Sequence, residues 1–353
     1  MKVIIDDKIP YIREAAAKLF DEVEYFTGAG ITSKNVRDAD ALIVRTRTRC
    51  DKSLLEGSKV RFIATATIGY DHLDIAYLEK CGITWTNCPG CNASSVGQYV
   101  RSVLLVLKHL GIIDPKKATV GIVGVGHVGQ AVVRALKPFG CKILQNDPPR
   151  QENEGGTFVS LEEIRKNCDI ITFHTPLTKD GAYPTYHLAD KNFFDSLKLN
   201  PVFINAARGA VTDNQALLNA LENGQVRTAI IDTWENEPHI SLPLLDKVLI
   251  GTPHIAGYSA DGKTNATKMS LTAVCRFFGI PENFTILPPP LPPMLIPSAD
   301  SDERELQLYD PRRDSSALKA HPEQFEVLRG NYPLRREIWD FGKNLDKTAQ
   351  NNL

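Results

Sequence analysis

The stretch "TVGIVGVGHVGQAVVRALKPFG", residues 119–140, constrains the fold more than any other. A run rich in Val and Ile ends in Gly124-x-Gly126-x-x-Gly129, and an amphipathic helical pattern follows at once. That glycine spacing is weak by itself. Here Asp147 closes the next apolar run, 18 residues after Gly129. Together these make the strand–turn–helix–strand–acid pattern of a dinucleotide-binding unit. In this reading Gly124 makes the tight turn, Gly126 lets the backbone approach a pyrophosphate, and Gly129 lets helix and strand pack closely. His127 and Val128 offer N–H groups at the helix N-terminus, where an anion is favoured. Asp147 is placed to accept both ribose hydroxyls and to repel a 2′-phosphate. NAD is therefore expected rather than NADP, with Arg150 three residues on as the counter-signal.

The surrounding pattern extends that unit into a sheet. Strands are expected in "ATVGIVGV", "CKILQND", "DIITFHTP", "PVFINAA", "RTAIIDTW" and "VLIGTPH", with helical stretches between most of them. Near-continuous Val/Ile runs mark strands buried on both faces, so a six-stranded doubly wound sheet is predicted. The first quarter of the chain repeats the alternation. "KVIID", "ALIVRT", "RFIATAT" and "ITWTNC" read as strands and "YIREAAAKLFDEV" as a helix, which implies a second parallel sheet. "NASSVGQYVRSVLLVLKHL" reads as a long helix capped by Asn92 or Ser94. Six prolines between 288 and 297 read as an extended connector. Beyond it, "ELQLYDPRRDSSALKA" and "PEQFEVLRGNYPLRREIWDF" look strand-like and then helical, and the last residues look frayed.

Charge and cysteine usage exclude several function classes. The net charge of −1 over 353 residues leaves no basic footprint for nucleic acid. The stretch "VRSVLLVLKHLGII" is too short, and too broken by Arg101, Lys108 and His109, to span a bilayer. With no signal-like N-terminus, a cytoplasmic setting is the default. Seven scattered cysteines argue against a disulfide framework. Cys88 and Cys91 form one C-x-x-C with no second pair to complete a zinc site, so a tight turn carrying two thiols is favoured and no metal is expected.

Three further signals fall at strand ends of the second sheet, where doubly wound folds bind ligands. They are "INAARGAVTD" with Arg208, "DTWENEP" with Asp232 and Glu237, and "TPHIAGYS" with His254. An arginine fork suits a substrate carboxylate. A histidine can take a hydroxyl proton while hydride leaves the same carbon. A carboxylate on the far ring nitrogen fixes the tautomer and stabilises the imidazolium. Glu235 and His239, in the same stretch, are assigned no catalytic role.

These motifs resemble the D-isomer-specific 2-hydroxyacid dehydrogenases over about residues 1–280. The resemblance implies that Arg208, Glu237 and His254 are catalytic, and that His174, Thr175, Ala206, Ala207, Arg208, Asp232 and Gly257 line the cofactor. It implies an α/β architecture: a doubly wound Rossmann NAD domain (96–257) inserted in a flavodoxin-like substrate domain (1–95 and 258–280). "VRTRTRCDKSLL", "ATATIGYDHLD", "NCPGCNASSVGQYV" and "LRGNYPLRRE" resemble more closely a branch of the family acting on a phosphorylated acid. That branch implies a small α+β C-terminal dimerisation domain (281–345), followed by a tail (346–353), and a homodimer. It also implies substrate contacts by Arg45, Thr46, Thr67 and Tyr258. Position 46 carries threonine where the branch has serine, which retains the hydroxyl. Taken as extended chain, "RTRTR" places Arg45, Arg47 and Arg49 on one face, suited either to a phosphate or to a charged strand edge. Other phosphorylated hydroxyacids such as 3-phosphoglycerate, and a non-catalytic NAD-sensing regulator on the same fold, are the competing readings.

Overall fold

The computed structural model describes residues 1–290 and 300–337. The chain divides into two compact units, one of Met1–Asn92 with Ser259–Leu291, the other of Ala93–Tyr258 with Pro292–Leu353. The larger part of the second, residues 93–258, is thus inserted in the sequence of the first, and the rest follows it. The long helix starts at the boundary, as Ala93–His109, and belongs wholly to the second unit. Asn92, one candidate for its cap, leaves its Oδ1 buried without a partner.

In the first unit five parallel strands form one sheet: β1 (Lys2–Asp6), β2 (Glu22–Phe26), β3 (Ala41–Val44), β4 (Phe62–Thr65) and β5 (Thr84–Thr86). Their order, β2-β1-β3-β4-β5, is the flavodoxin-like order. Alternation along each strand sends residues to opposite faces. Val3, Ile5, Ile43 and Ala64 pack with Ala15, Ala16, Leu271 and Val274 of two helices, Arg13–Leu19 and Ala260–Phe278. Ile4, Leu42, Val44 and Ile63 pack on the other side with Val36, Leu54 and Leu78. β2 is absent from the sequence-based expectation, which ran the first helix on through residue 23. The helix stops at Leu19, and "EVEYF" forms a half-buried edge strand beside β1. Lys2 pairs across the strands with Glu22 (2.9 Å) and Glu24, so these acidic residues are cross-strand partners.

In the second unit six parallel strands pair in the order β11-β10-β9-β8-β6-β7. They are β6 (Thr119–Val123), β7 (Lys142–Asn146), β8 (Ile170–Phe173), β9 (Val202–Asn205), β10 (Thr228–Ile231) and β11 (Ile250–Gly251). The order reverses between β6 and β8, the switch point where doubly wound sheets bind ligands. One face carries Val120, Ile122, Ile204 and Ile230 against Val103 and Leu107 of the long helix. The other packs Phe173, Phe203 and Ile231 against Phe193, Phe194 and Leu217.

The described C-terminal residues are helical: Ser301–Leu308, Pro311–Ala320 and Phe325–Gly330. This corrects the strand-like reading of "ELQLYDPRRD". Leu306, in the first of these helices, and Tyr309, its extended C-cap, join the core over the long helix, while Leu318 and Phe325 enter the opposite core. The segment thus packs into the nucleotide unit rather than standing as a compact unit of its own. The prolines from 292 to 297, and the tail beyond 337, lie outside the described residues.

Candidate active site

Because β6 to β11 are parallel, their carboxyl ends lie along one edge of the sheet. Every residue expected in the site of the nucleotide unit sits on a loop leaving that edge or in the first turn of the helix that follows β6. The glycine turn follows β6. Gly124 adopts φ +85, and a Cβ on Gly129 would stand 2.1 Å from the Gly124 carbonyl oxygen, so neither position admits a side chain without moving the turn. Gly126 caps the helix His127–Leu136, and a Cβ there would meet nothing within 4 Å, which leaves room before the helix N-terminus. His127 and Val128 are the first two helical residues, with N–H groups that have no intrahelical acceptor.

Asp147, after β7, accepts from the Val125 N–H (2.8 Å) and the Arg150 N–H (3.1 Å), which ties the glycine turn to the next helix. Arg150 is engaged elsewhere: Nη1 donates to the Val125 carbonyl (2.6 Å) and the guanidinium pairs with Glu154. It is therefore not waiting for a 2′-phosphate. After β8, His174 Nε2 shares a hydrogen with the Thr172 hydroxyl (2.9 Å). His174 Nδ1 and Thr175 Oγ1 are buried without a partner. Orphaned polar atoms beside a glycine turn are what a nucleotide would satisfy, so these residues fit a dinucleotide. Burial drives the His174 pKa down to about 3, which keeps the ring neutral.

Arg208 follows β9, exposed, with Nη1 on the Ala207 carbonyl (2.8 Å) and, among the described residues, no carboxylate paired with its guanidinium. Ala206 and Ala207 precede it, and the Ala207 N–H donates to Asn205 Oδ1 (3.0 Å). A Cβ on Gly209 would fall 1.9 Å from the Trp234 carbonyl oxygen. The Arg208 loop therefore lies against the turn carrying Glu237. That turn and the one after β11 make the central contact: His254 Nδ1 to Glu237 Oε2, 2.8 Å. Glu237 Oε1 accepts the Trp234 N–H (2.8 Å). Burial pushes the Glu237 carboxyl up. The hydrogen bond and charge of His254, the Trp234 N–H and the charge of Arg329 outweigh that and hold it below its ordinary value. With Nδ1 on the glutamate, His254 Nε2 is left for a substrate proton.

Residues 98–256 match the profile of the D-isomer specific 2-hydroxyacid dehydrogenase NAD binding domain. The erythronate-4-phosphate dehydrogenase of Bacteroides thetaiotaomicron is 58% identical, over 96% of this chain and 97% of its own. The chain belongs to the erythronate-4-phosphate dehydrogenase family. A family member from Pseudomonas fluorescens is 41% identical over 96% of this chain and 93% of its own. Among solved structures, the D-lactate dehydrogenase of Treponema pallidum superposes with a TM-score of 0.63 at 25% identity, covering 80% of this chain and 98% of its own. A D-2-hydroxyisocaproate dehydrogenase gives 0.67 at 24% identity, covering 81% and 98%, which speaks to fold alone.

Several residues of this family member have roles that the sequence did not reveal. Asp232, expected to line the cofactor, is buried, and its carboxylate serves the loop after β11. Oδ1 accepts from the Thr252 hydroxyl (2.6 Å) and the Ile255 N–H (2.8 Å), and Oδ2 from the Ala256 N–H (3.0 Å). Burial pushes its pKa up, against the lowering effects of His254 and these donors. Tyr99 donates to Thr252, since the Thr252 hydrogen is committed to Asp232. The effect is to fix His254, whose φ of +56 is left-handed, in a conformation it would not hold alone. From the C-terminal segment, Arg335 Nη2 donates to the Ala256 carbonyl (2.5 Å) and to Ser95, and Arg329 Nε donates to the Tyr258 hydroxyl (3.1 Å). Gly257 lies between those two anchors. A second pair, His187 Nε2 with Glu235 Oε1 (2.7 Å), braces the turn, while Glu235 Oε2 accepts the Asn214 N–H (2.9 Å). His239 is exposed.

The remaining candidates, Arg45, Thr46 and Thr67, belong to the first unit. β3 ends at Val44, and residues 46–47 form a turn closed by Thr48 N–H to the Arg45 carbonyl (3.1 Å). "RTRTR" is therefore not an extended strand with three arginines on one face. Arg45 Nη1 donates to the Lys8 carbonyl (3.1 Å), Thr46 is exposed, and Arg49 pairs with Asp51 (2.9 Å). Thr67 follows β4. Its hydroxyl donates to the Gly69 carbonyl (2.8 Å) and contacts Thr65 Oγ1 (2.7 Å), which in turn meets His72 Nε2 (3.0 Å). Cys88 and Cys91 form no disulfide and are buried in the turn, and burial pushes the Cys88 thiol up. Among the described residues, no group of three or more His, Cys, Asp or Glu is placed to hold a metal.

Proposed function

We propose that the chain catalyses the NAD-dependent oxidation of 4-phospho-D-erythronate to (R)-3-hydroxy-2-oxo-4-phosphobutanoate, a step of pyridoxal 5′-phosphate biosynthesis. The observation that carries the reading is the His254–Glu237 pair, at 2.8 Å, on the strand edge that also presents Arg208 and the dinucleotide turn. The relatives at 58% and 41% identity supply the substrate's name.

Gly126, His127 and Val128 receive the pyrophosphate, Asp147 the ribose, and His174 and Thr175 add their unpaired atoms. NAD, when bound, supplies the acceptor for the hydride that leaves C2. Arg208 pairs with the substrate carboxylate and fixes which face of C2 is presented. His254 Nε2 accepts the C2 hydroxyl proton as the carbonyl forms, and Glu237, held ionised, stabilises the imidazolium. Tyr258 and, from the first unit, Arg45, Thr46 and Thr67 contact the rest of the substrate. The protein works in the cytoplasm as a homodimer through its C-terminal segment. Exposed Val327 and Leu334 on that segment support the dimer, and no described helix is long and apolar enough to cross a membrane.

NADH formation with 4-phospho-D-erythronate, 3-phosphoglycerate and unphosphorylated 2-hydroxyacids tests the assignment. The first should be oxidised best, and His254→Ala should abolish most turnover while NAD still binds. Near-normal turnover by that variant, or no oxidation of any of these acids by the wild type, overturns it.

A further inference from the structure

The reaction above needs a cation for a phosphate dianion as well as one for a carboxylate, and Arg208 serves only the carboxylate. We propose that Arg329, from the helix Phe325–Gly330 of the C-terminal segment, binds the substrate phosphate and so sets the preference for phosphorylated acids. The inference rests on the substrate reading given above.

Three observations place Arg329 for this task. Its Nε donates to the Tyr258 hydroxyl (3.1 Å) and its guanidinium lies 5.7 Å from the centre of that ring, four residues beyond His254. It bonds a residue on the loop that follows His254, and its charge acts on Glu237, the partner of that histidine. Its outer nitrogens remain uncommitted. The nearest carboxylate, Glu326, is 3.9 Å from Nη1, beyond hydrogen-bond reach, and neither Nη group bonds a described residue. The side chain is 29% exposed, mostly out of water yet open to a ligand. A guanidinium anchored at Nε presents its two Nη groups as a fork, the geometry that grips a phosphate through two parallel bonds. Arg335, six residues on, does not compete for the role, because it is buried and spent on the Ala256 carbonyl and Ser95.

The test compares 4-phospho-D-erythronate with D-erythronate, which lacks the phosphate, in wild-type, R329Q and R329K enzymes. In R329Q, kcat/KM for the phosphorylated acid should fall about 10- to 100-fold through KM, as loss of a charged hydrogen bond predicts. The value for D-erythronate should fall far less than that for the phosphorylated acid, and inorganic phosphate should lose most of its potency as a competitive inhibitor. R329K keeps the charge without the fork and should fall between. It also serves as the test if R329Q does not fold, and an unchanged ratio of the two substrates in R329K then counts against the proposal. Equal losses on both substrates, or a shift only in the acid limb of the pH profile, would mean that Arg329 acts through Glu237 or Tyr258 and would overturn it. A wild-type enzyme that does not oxidise 4-phospho-D-erythronate would instead sink the substrate reading itself.

Discussion

At the scale of single residues the site is an exercise in holding one histidine. His254 sits at φ +56, with its N–H on the Asp232 carbonyl (2.9 Å) and its Nδ1 on Glu237. Glu237→Gln retains the shape but removes the charge proposed to stabilise the imidazolium, so kcat should fall by roughly 10²- to 10⁴-fold with KM for NAD little changed. The same group has a signature in stability. Its folded pKa lies below the ordinary 4.5 because His254, the Trp234 N–H and Arg329 outweigh burial. Its contribution is therefore present above the unfolded value and is lost as pH falls through the lower folded one. In denaturant titrations from pH 7 downward, the gap between wild type and Glu237→Gln should narrow across that acid range. A gap that stays constant would show that the carboxylate contributes no linkage.

At the scale of elements, the long helix Ala93–His109 lies on one face of the nucleotide sheet, and its arginine ties it to two other helices. Arg101 makes two bonds to Glu305 (2.7 and 2.6 Å) and one to the Ala135 carbonyl (2.8 Å), with both charged side chains about nine-tenths buried. A residue that argued in the sequence against a membrane span turns out to clamp three helices together. Arg101→Ala leaves Glu305 buried and unpaired and should lower stability by roughly 3–5 kcal/mol. The double change Arg101→Met with Glu305→Met should recover most of that loss, because no charge is then left buried. Chemical denaturation of the three proteins decides it, and a single-variant loss under about 1 kcal/mol would show that water reaches the pair.

At the scale of the whole molecule, the C-terminal segment has two jobs where one was expected. Leu306, Tyr309, Leu318 and Phe325 complete the cores on both faces of the nucleotide sheet, and Arg329 and Arg335 reach the loop after His254. Cutting the chain after Gly279 would therefore damage the site along with any dimer. Substitution of the exposed Val327 and Leu334 by glutamate is the cleaner test. The doubly substituted protein should sediment as a monomer with its NAD affinity intact. A dimer that persists would place the interface elsewhere.

The sequence by itself determined the two parallel sheets, the dinucleotide turn and the strand-end positions of Arg208, Glu237 and His254. Each is written in local terms: apolar runs of strand length, glycines at fixed spacing, and reactive residues just past those runs. It was silent where the decisive partner is distant in the chain. The bonds from Asp232 to residues 252–256, Tyr99 to Thr252, Arg101 to Glu305 and Arg329 to Tyr258 span 20 to 204 positions. No periodicity encodes them. "EVEYF" and "ELQLYD" were misread for the same reason, since their pattern fits either period and only the neighbour they pack against, β1 in one case and the long helix in the other, selects strand or helix. Tertiary structure decided which buried polar groups meet, because a charge out of water must find a partner wherever the fold brings one.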